Sequence, residues 1–101
     1  MDVVVTDNAE AGRFEIRVGG ELAGFAEYRS RPGIRAFVHT EVDPAHEGQG
    51  FGGKLIGNAL DATRAAGDEV LPFCPFVNRY IATHPDYLDL VPEAMREKFG
   101  L

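Results

Sequence analysis

The sequence predicts an α+β fold with a mixed β-sheet, in which an antiparallel meander of four strands runs into a β-α-β crossover and C-terminal helices. Three observations carry this prediction. Residues 1–42 hold β-branched and alternating apolar runs separated by glycine turns. From Gly50 onward the apolar residues recur with helical spacing. A short apolar run follows the glycine that ends that stretch, where a strand returning parallel to the fourth belongs.

Residues 3–6 form a β-branched run, the first strand. In the second, Arg13–Val18, the apolar residues Phe14, Ile16 and Val18 alternate with Arg13, Glu15 and Arg17, the period of a half-buried strand. Gly19-Gly20 supplies a two-residue hairpin turn, since both positions accept positive φ. The third strand, residues 21–29, directs Leu22, Phe25 and Tyr28 to the core with imperfect alternation, and Ala23-Gly24 marks a bulge or a close approach. Arg31-Pro32-Gly33 is the next turn, and Ile34–Val42 the fourth strand. A helix follows, with Phe51, Leu55, Ala59, Ala62 and Ala66 on one stripe and Gly67 as its stop. Residues 69–73 make the fifth strand. Pro75 opens a short helix through Val77, Tyr80 and Ile81 towards Pro85, and residues 92–99 make a last short helix closed by Gly100.

A chain of 101 residues fits one domain, residues 1–101. Hydrophobic residues at 45% and charged residues at 26% belong to a globular protein. The formal charge of −6 argues against nucleic-acid and anionic-membrane partners, which need a cationic surface. A single cysteine, Cys74, cannot close an intramolecular disulfide, and three scattered histidines give no metal-ligand spacing, so no metal is expected. Residues 1–6 lack the basic start and long apolar stretch of a secretory signal, and no run approaches a membrane span, so a cytoplasmic location is expected.

The chemistry concentrates at Glu47-Gly48-Gln49-Gly50-Phe51-Gly52-Gly53-Lys54. A helix start offers free backbone N–H groups and the positive end of the helix dipole to a phosphate. Gly48, Gly50, Gly52 and Gly53 remove Cβ atoms that would obstruct the approach, and Lys54 adds a cation. The bland alternative is a tight strand-to-helix connection with no ligand. A Walker-type loop lacks its spacing here, and the antiparallel strands upstream disfavour a dinucleotide fold.

Val42-Asp43-Pro44 followed by this loop and Leu55 resembles the coenzyme A pyrophosphate loop of GNAT-fold N-acetyltransferases, whose pattern is Gln/Arg-x-x-Gly-x-Gly/Ala; Glu47 departs from the first position. His39-Thr40-Glu41-Val42, Pro72-Phe73-Cys74-Pro75-Phe76-Val77 and the run from His84 to Val91 extend the resemblance to the small, cysteine-containing GNAT-like acetyltransferases, over most of residues 13–91. The resemblance implies a GNAT-like sheet and acetyl-CoA as co-substrate, held by Val42, Gly48, Gln49, Gly50, Phe51, Gly52, Gly53 and Lys54. It further implies transfer of an acetyl group to an amine acceptor of undefined identity. A coenzyme A binding or sensing module without turnover is the alternative.

A free cysteine is commonly a buried small hydrophobe. Cys74, however, ends the strand after the glycine-loop helix, where α/β crevices open, and Pro75 begins a helix beside its sulfur, a setting that activates cysteine. His39, near the end of the neighbouring strand, is its candidate partner, because adjacent strands lie ~4.8 Å apart. Glu41 is the alternative base; His46 and His84 read as loop and helix-end residues. The tyrosine that serves the broader family as general acid falls at Ala82, which leaves Tyr80, Tyr87 or Cys74 to replace it.

Overall fold

The computed structural model describes residues 2–101. Its elements follow the expected order: β1 (Val3–Asn8), β2 (Arg13–Val18), β3 (Glu21–Arg31), β4 (Ile34–Val42), α1 (Phe51–Ala65), β5 (Glu69–Pro72), α2 (Pro75–Thr83) and α3 (Glu93–Arg96). Two 3-10 turns, Pro44–His46 and Pro85–Leu90, lie between them. The strands form one sheet in the order β1-β2-β3-β4-β5, antiparallel except for the parallel pair of β4 and β5. This is the predicted α+β architecture.

Alternation in β2 buries Phe14, Ile16 and Val18 beneath α1, which crosses the sheet and contributes Leu55, Ile56, Ala59 and Leu60 to the same core. The buried stripe of α1 runs to Thr63, whereas Ala62 is half-buried and Ala66 exposed, so the predicted stripe is rotated. Thr63 tolerates burial because its hydroxyl donates to the Ala59 carbonyl at 2.8 Å and accepts from Arg35. Gly67, at φ 77°, lies just past the helix end as expected.

Two predicted details are corrected. In β3, Leu22 and Phe25 are only half-buried and the core receives Ala23, Ala26 and Tyr28. A bulge accounts for Leu22: Ile16 pairs with Gly24 and Arg17 with Leu22, leaving Ala23 as an extra residue that turns Leu22 to the outer face, whereas Phe25 faces outward by ordinary alternation, opposite Glu15. Gly24 is required there, since a Cβ would lie 2.7 Å from the Glu41 carbonyl oxygen. The last helix is shorter than residues 92–99, because only Glu93–Arg96 is helical before the chain turns at Gly100, φ 71°.

The opposite face of β2 carries a charged cluster. Glu15 is 4% exposed and accepts from Arg13 Nε at 2.7 Å, Asn8 Nδ2 at 3.2 Å and Arg17 Nη2 at 3.3 Å. Burial pushes its carboxyl pKa up, but these hydrogen bonds and the Arg13 charge together outweigh burial and hold it below the ordinary value of 4.5. A lowered folded-state pKa gives stability that is present above the unfolded value and lost as pH falls through the folded one. Urea unfolding is therefore expected to show Glu15→Gln losing less stability than the parent as pH drops below 4.5. Equal acid limbs would refute the assignment.

Candidate functional site

The site begins with a second bulge. Glu27 pairs with His39 and Tyr28 with Phe37, so Val38 is the extra residue in β4. It shifts every later side chain by one position. Thr40 lies opposite buried Ala26 and shares the inner face with Phe37, whereas His39 lies opposite Glu27 and Glu41 opposite Phe25 on the outer face.

Main-chain direction shifts with it. The Phe37 carbonyl faces β5 and accepts from Cys74 N–H at 2.9 Å, while Asp43 N–H donates to the Ala23 carbonyl at 2.7 Å, towards β3. Alternating back from Asp43, the N–H groups of Val42 and Thr40 turn away from β3. On that side β5 pairs only with Ile34, Arg35, Ala36 and Phe37. The distal half of β4 therefore presents a free edge.

Beside this edge lies a cleft of about 930 Å³. Its walls are Val38, His39 and Thr40 of β4, the start of α1 at Gly50, Gly53 and Lys54, and the face of α2 from Cys74 to Thr83, with His84 beyond. The start of α1 has an open N-terminus. Gly50 occupies its N-cap in the left-handed region, φ 77°, and no side chain caps the first-turn N–H groups. Gly48 and Gly50 serve conformation, since their Cβ positions meet nothing within 4 Å. Gly52 and Gly57 serve helix packing: a Cβ at Gly52 would lie 2.5 Å from the Phe76 ring, and one at Gly57 2.8 Å from the Tyr80 hydroxyl. The missing Cβ of Gly52 thus admits a side chain of α2, a use its sequence reading did not contain.

Cys74 is 3% exposed and sits at the N-cap of α2. Its N–H is fixed by Phe37 and its carbonyl accepts from Asn78 N–H at 2.9 Å, so the end of β5 and the first turn of α2 both hold it. The thiol donates to Thr40 Oγ1 at 3.2 Å. The expected Cys74–His39 pair is not formed. The Val38 bulge turns the His39 side chain to the outer face, where Nε2 lies 3.3 Å from Glu41 Oε2 and the ring packs on Phe25.

Of the tyrosines considered as acids, Tyr80 lines the cleft, stacked on His84 with centroids 3.9 Å apart. Burial, then the Asp61 charge, raises its pKa, so it holds its proton. Tyr87 lies outside the cleft lining and donates to Asp61 at 2.8 Å. That hydrogen bond and burial push its pKa up to about 12. Ala82 is exposed.

Among the sequence candidates, the cleft gathers His39, Gly50, Gly53, Lys54 and Cys74. Val42 lines a separate hollow of about 210 Å³ with Gly24, Phe25 and Glu41. Gly48 and Gln49 lie exposed in the loop, and half-buried Phe51 packs against the His46 ring. Thr40 and Arg79 were missed. Thr40 carried no signal, because simple alternation put His39 on its side; Arg79 was legible only as a polar position on α2.

The GCN5-related N-acetyltransferase family matches residues 13–90, and the chain belongs to it. Acetyl transfer is the class of chemistry to which family and fold point. Among solved structures, a GCN5-like candidate N-acetyltransferase from Staphylococcus aureus superposes with TM-score 0.68 at 20% identity, covering 88% of this chain and 87% of that one. The ribosomal-protein-alanine N-acetyltransferase from Brucella melitensis biovar Abortus gives TM-score 0.52 at 21% identity, over 79% of this chain and 60% of that one. A candidate GNAT-family acetyltransferase from Desulfovibrio desulfuricans gives 0.51 at 17%, over 76% and 51%. No curated protein matches the chain. No helix among the described residues is long and apolar enough to cross a membrane.

Proposed function

We propose that this chain moves an acetyl group from acetyl-coenzyme A to an amine acceptor, with Cys74 at the reacting carbon. One observation carries the reading: the cleft is continuous from the uncapped start of α1 to the Cys74 thiol, along the free edge of β4. Its volume, about 930 Å³, is that of a small-molecule site. The coenzyme phosphates meet the first-turn N–H groups of α1, with Lys54 and Arg79 as cations on the walls. The thioester lies beside Cys74, and the Val42 N–H, turned to the free edge, donates to its carbonyl oxygen as negative charge develops there.

Two routes use the thiol. In the covalent route, Cys74 Sγ attacks the thioester carbon, the bond to the coenzyme sulfur breaks, and the thiol proton leaves with the coenzyme thiolate. A neutral amine then attacks the acetyl-cysteine, and its proton returns to Sγ as the C–S bond breaks. In the direct route, the amine attacks the thioester itself, while Cys74 protonates the departing thiolate and recovers the proton the amine loses. Mass spectrometry after mixing with acetyl-coenzyme A separates them. An acetyl adduct on Cys74 that disappears when amine is added supports the covalent route; turnover without an adduct supports direct transfer.

A binding module without turnover is the second reading, favoured by exposed Ala82 at the place of the family tyrosine. Saturating acetyl-coenzyme A at about a hundred times its Kd stabilises a native-only binder by about 2.7 kcal/mol. A raised Tm without thiol release across an acceptor panel supports this module. An unchanged Tm overturns both readings.

A further inference from the structure

We propose that Thr40 is the positioning residue for Cys74, its hydroxyl accepting from the thiol and reversing to donate to the thiolate. This rests on the reading that Cys74 is the reacting thiol. The S···O distance is 3.2 Å, and Thr40 is the one side chain among the described residues hydrogen-bonded to the sulfur. A threonine hydroxyl is both donor and acceptor, so a rotation about its C–O bond serves either charge state. Cys74 is anchored on both sides of its Cα, by Phe37 and by Asn78, which fixes the backbone and leaves the direction of the thiol to its side-chain rotamer and to Thr40. Thr40 reaches it only because the Val38 bulge exchanges the faces of residues 39 and 40.

The other charged and titratable groups around the cleft are Lys54 of α1, His39 of β4, and Arg79, Tyr80 and His84 on and after α2. None is hydrogen-bonded to Sγ. Thr40 variants leave Lys54 and Arg79 unchanged. The hydroxyl is the separable contribution.

Thr40→Val keeps the branched shape and the strand propensity and removes the donor; Thr40→Ser restores it. The readout is the rate of Cys74 alkylation by iodoacetamide, followed by mass spectrometry from neutral to alkaline pH, with far-UV circular dichroism confirming the fold. The thiolate is the reacting species. Thr40→Val is expected to react roughly tenfold more slowly at neutral pH, the size of a lost hydrogen bond to a charged group, and to reach the parent rate when alkaline. Thr40→Ser is expected to follow the parent. A Thr40→Val profile equal to the parent's, a Thr40→Ser profile as slow as valine's, or no alkylation of the folded parent overturns the proposal. Acetyl transfer is measured separately. An alkylation pattern that holds without any turnover leaves Thr40 in its role and removes the transferase reading, whereas turnover with unchanged alkylation removes Thr40 alone.

Discussion

Phe37→Ala is expected to cost about 3–5 kcal/mol of stability. A domain of this kind has only about 5–15 kcal/mol in total, so much of the fold's margin is lost. Phe37 is fully buried, its ring 6.2 Å from Phe14 and 6.1 Å from Tyr28, and it lies opposite Pro72 at the last rung between β4 and β5. Removing the ring leaves a cavity walled by a rigid sheet and by α1, which cannot close onto it. Urea unfolding followed by circular dichroism measures the cost; at roughly 4–8 °C per kcal/mol, Tm falls by more than about 12 °C. A loss under about 1 kcal/mol would mean that the surrounding core collapses into the space. The main-chain carbonyl of residue 37, which accepts from the Cys74 N–H, is retained in this variant, so the loss reads side-chain packing alone.

The largest kinetic effect is expected at Cys74. Cys74→Ala removes the nucleophile of one route and the acid of the other, and either loss lowers kcat by about 10²–10⁴-fold. Binding is expected to change little, because in the proposed function the phosphates meet the start of α1, away from the thiol. Steady-state assay with an amine acceptor, beside calorimetric titration with acetyl-coenzyme A, tests both halves. Retained turnover in Cys74→Ala would remove the cysteine from the mechanism. Cys74→Ser keeps a donor to Thr40 but is a far weaker acid and nucleophile, so it is expected to resemble Cys74→Ala.

The architecture was legible because hydrophobic period writes directly into secondary structure. Arg13–Val18 could hardly be anything but a half-buried strand, and the glycines around residues 48–53 and at Gly67 frame α1. The bulges were not legible in the same way. Val38 and Ala23 are ordinary strand residues, and what makes each an extra residue is the hydrogen-bond register of its neighbours. One unseen bulge sufficed to exchange His39 for Thr40 beside the thiol. Helix docking was hidden for a similar reason: that Phe76 and Tyr80 seat over Gly52 and Gly57 follows from how α1 and α2 meet, which no local spacing encodes. The place of Cys74 in the fold was legible because the end of β5 and the start of α2 are both local features, and their junction is Cys74.

The free edge of β4 has a meaning for the protein's life in a crowded solution. Peptide groups left open along a strand are a template for another chain's backbone, and the usual remedies are charge, distortion or cover. Under the proposed function the cleft reads its ligand with main-chain groups, and such a cleft cannot be covered permanently. The Val38 bulge and the outward His39–Glu41 pair supply distortion and charge at that place, so an incoming strand finds the spacing wrong while a small extended molecule does not. On that reading, recognition and resistance to self-association depend on the same few residues, and a substitution that straightened β4 is expected to threaten both.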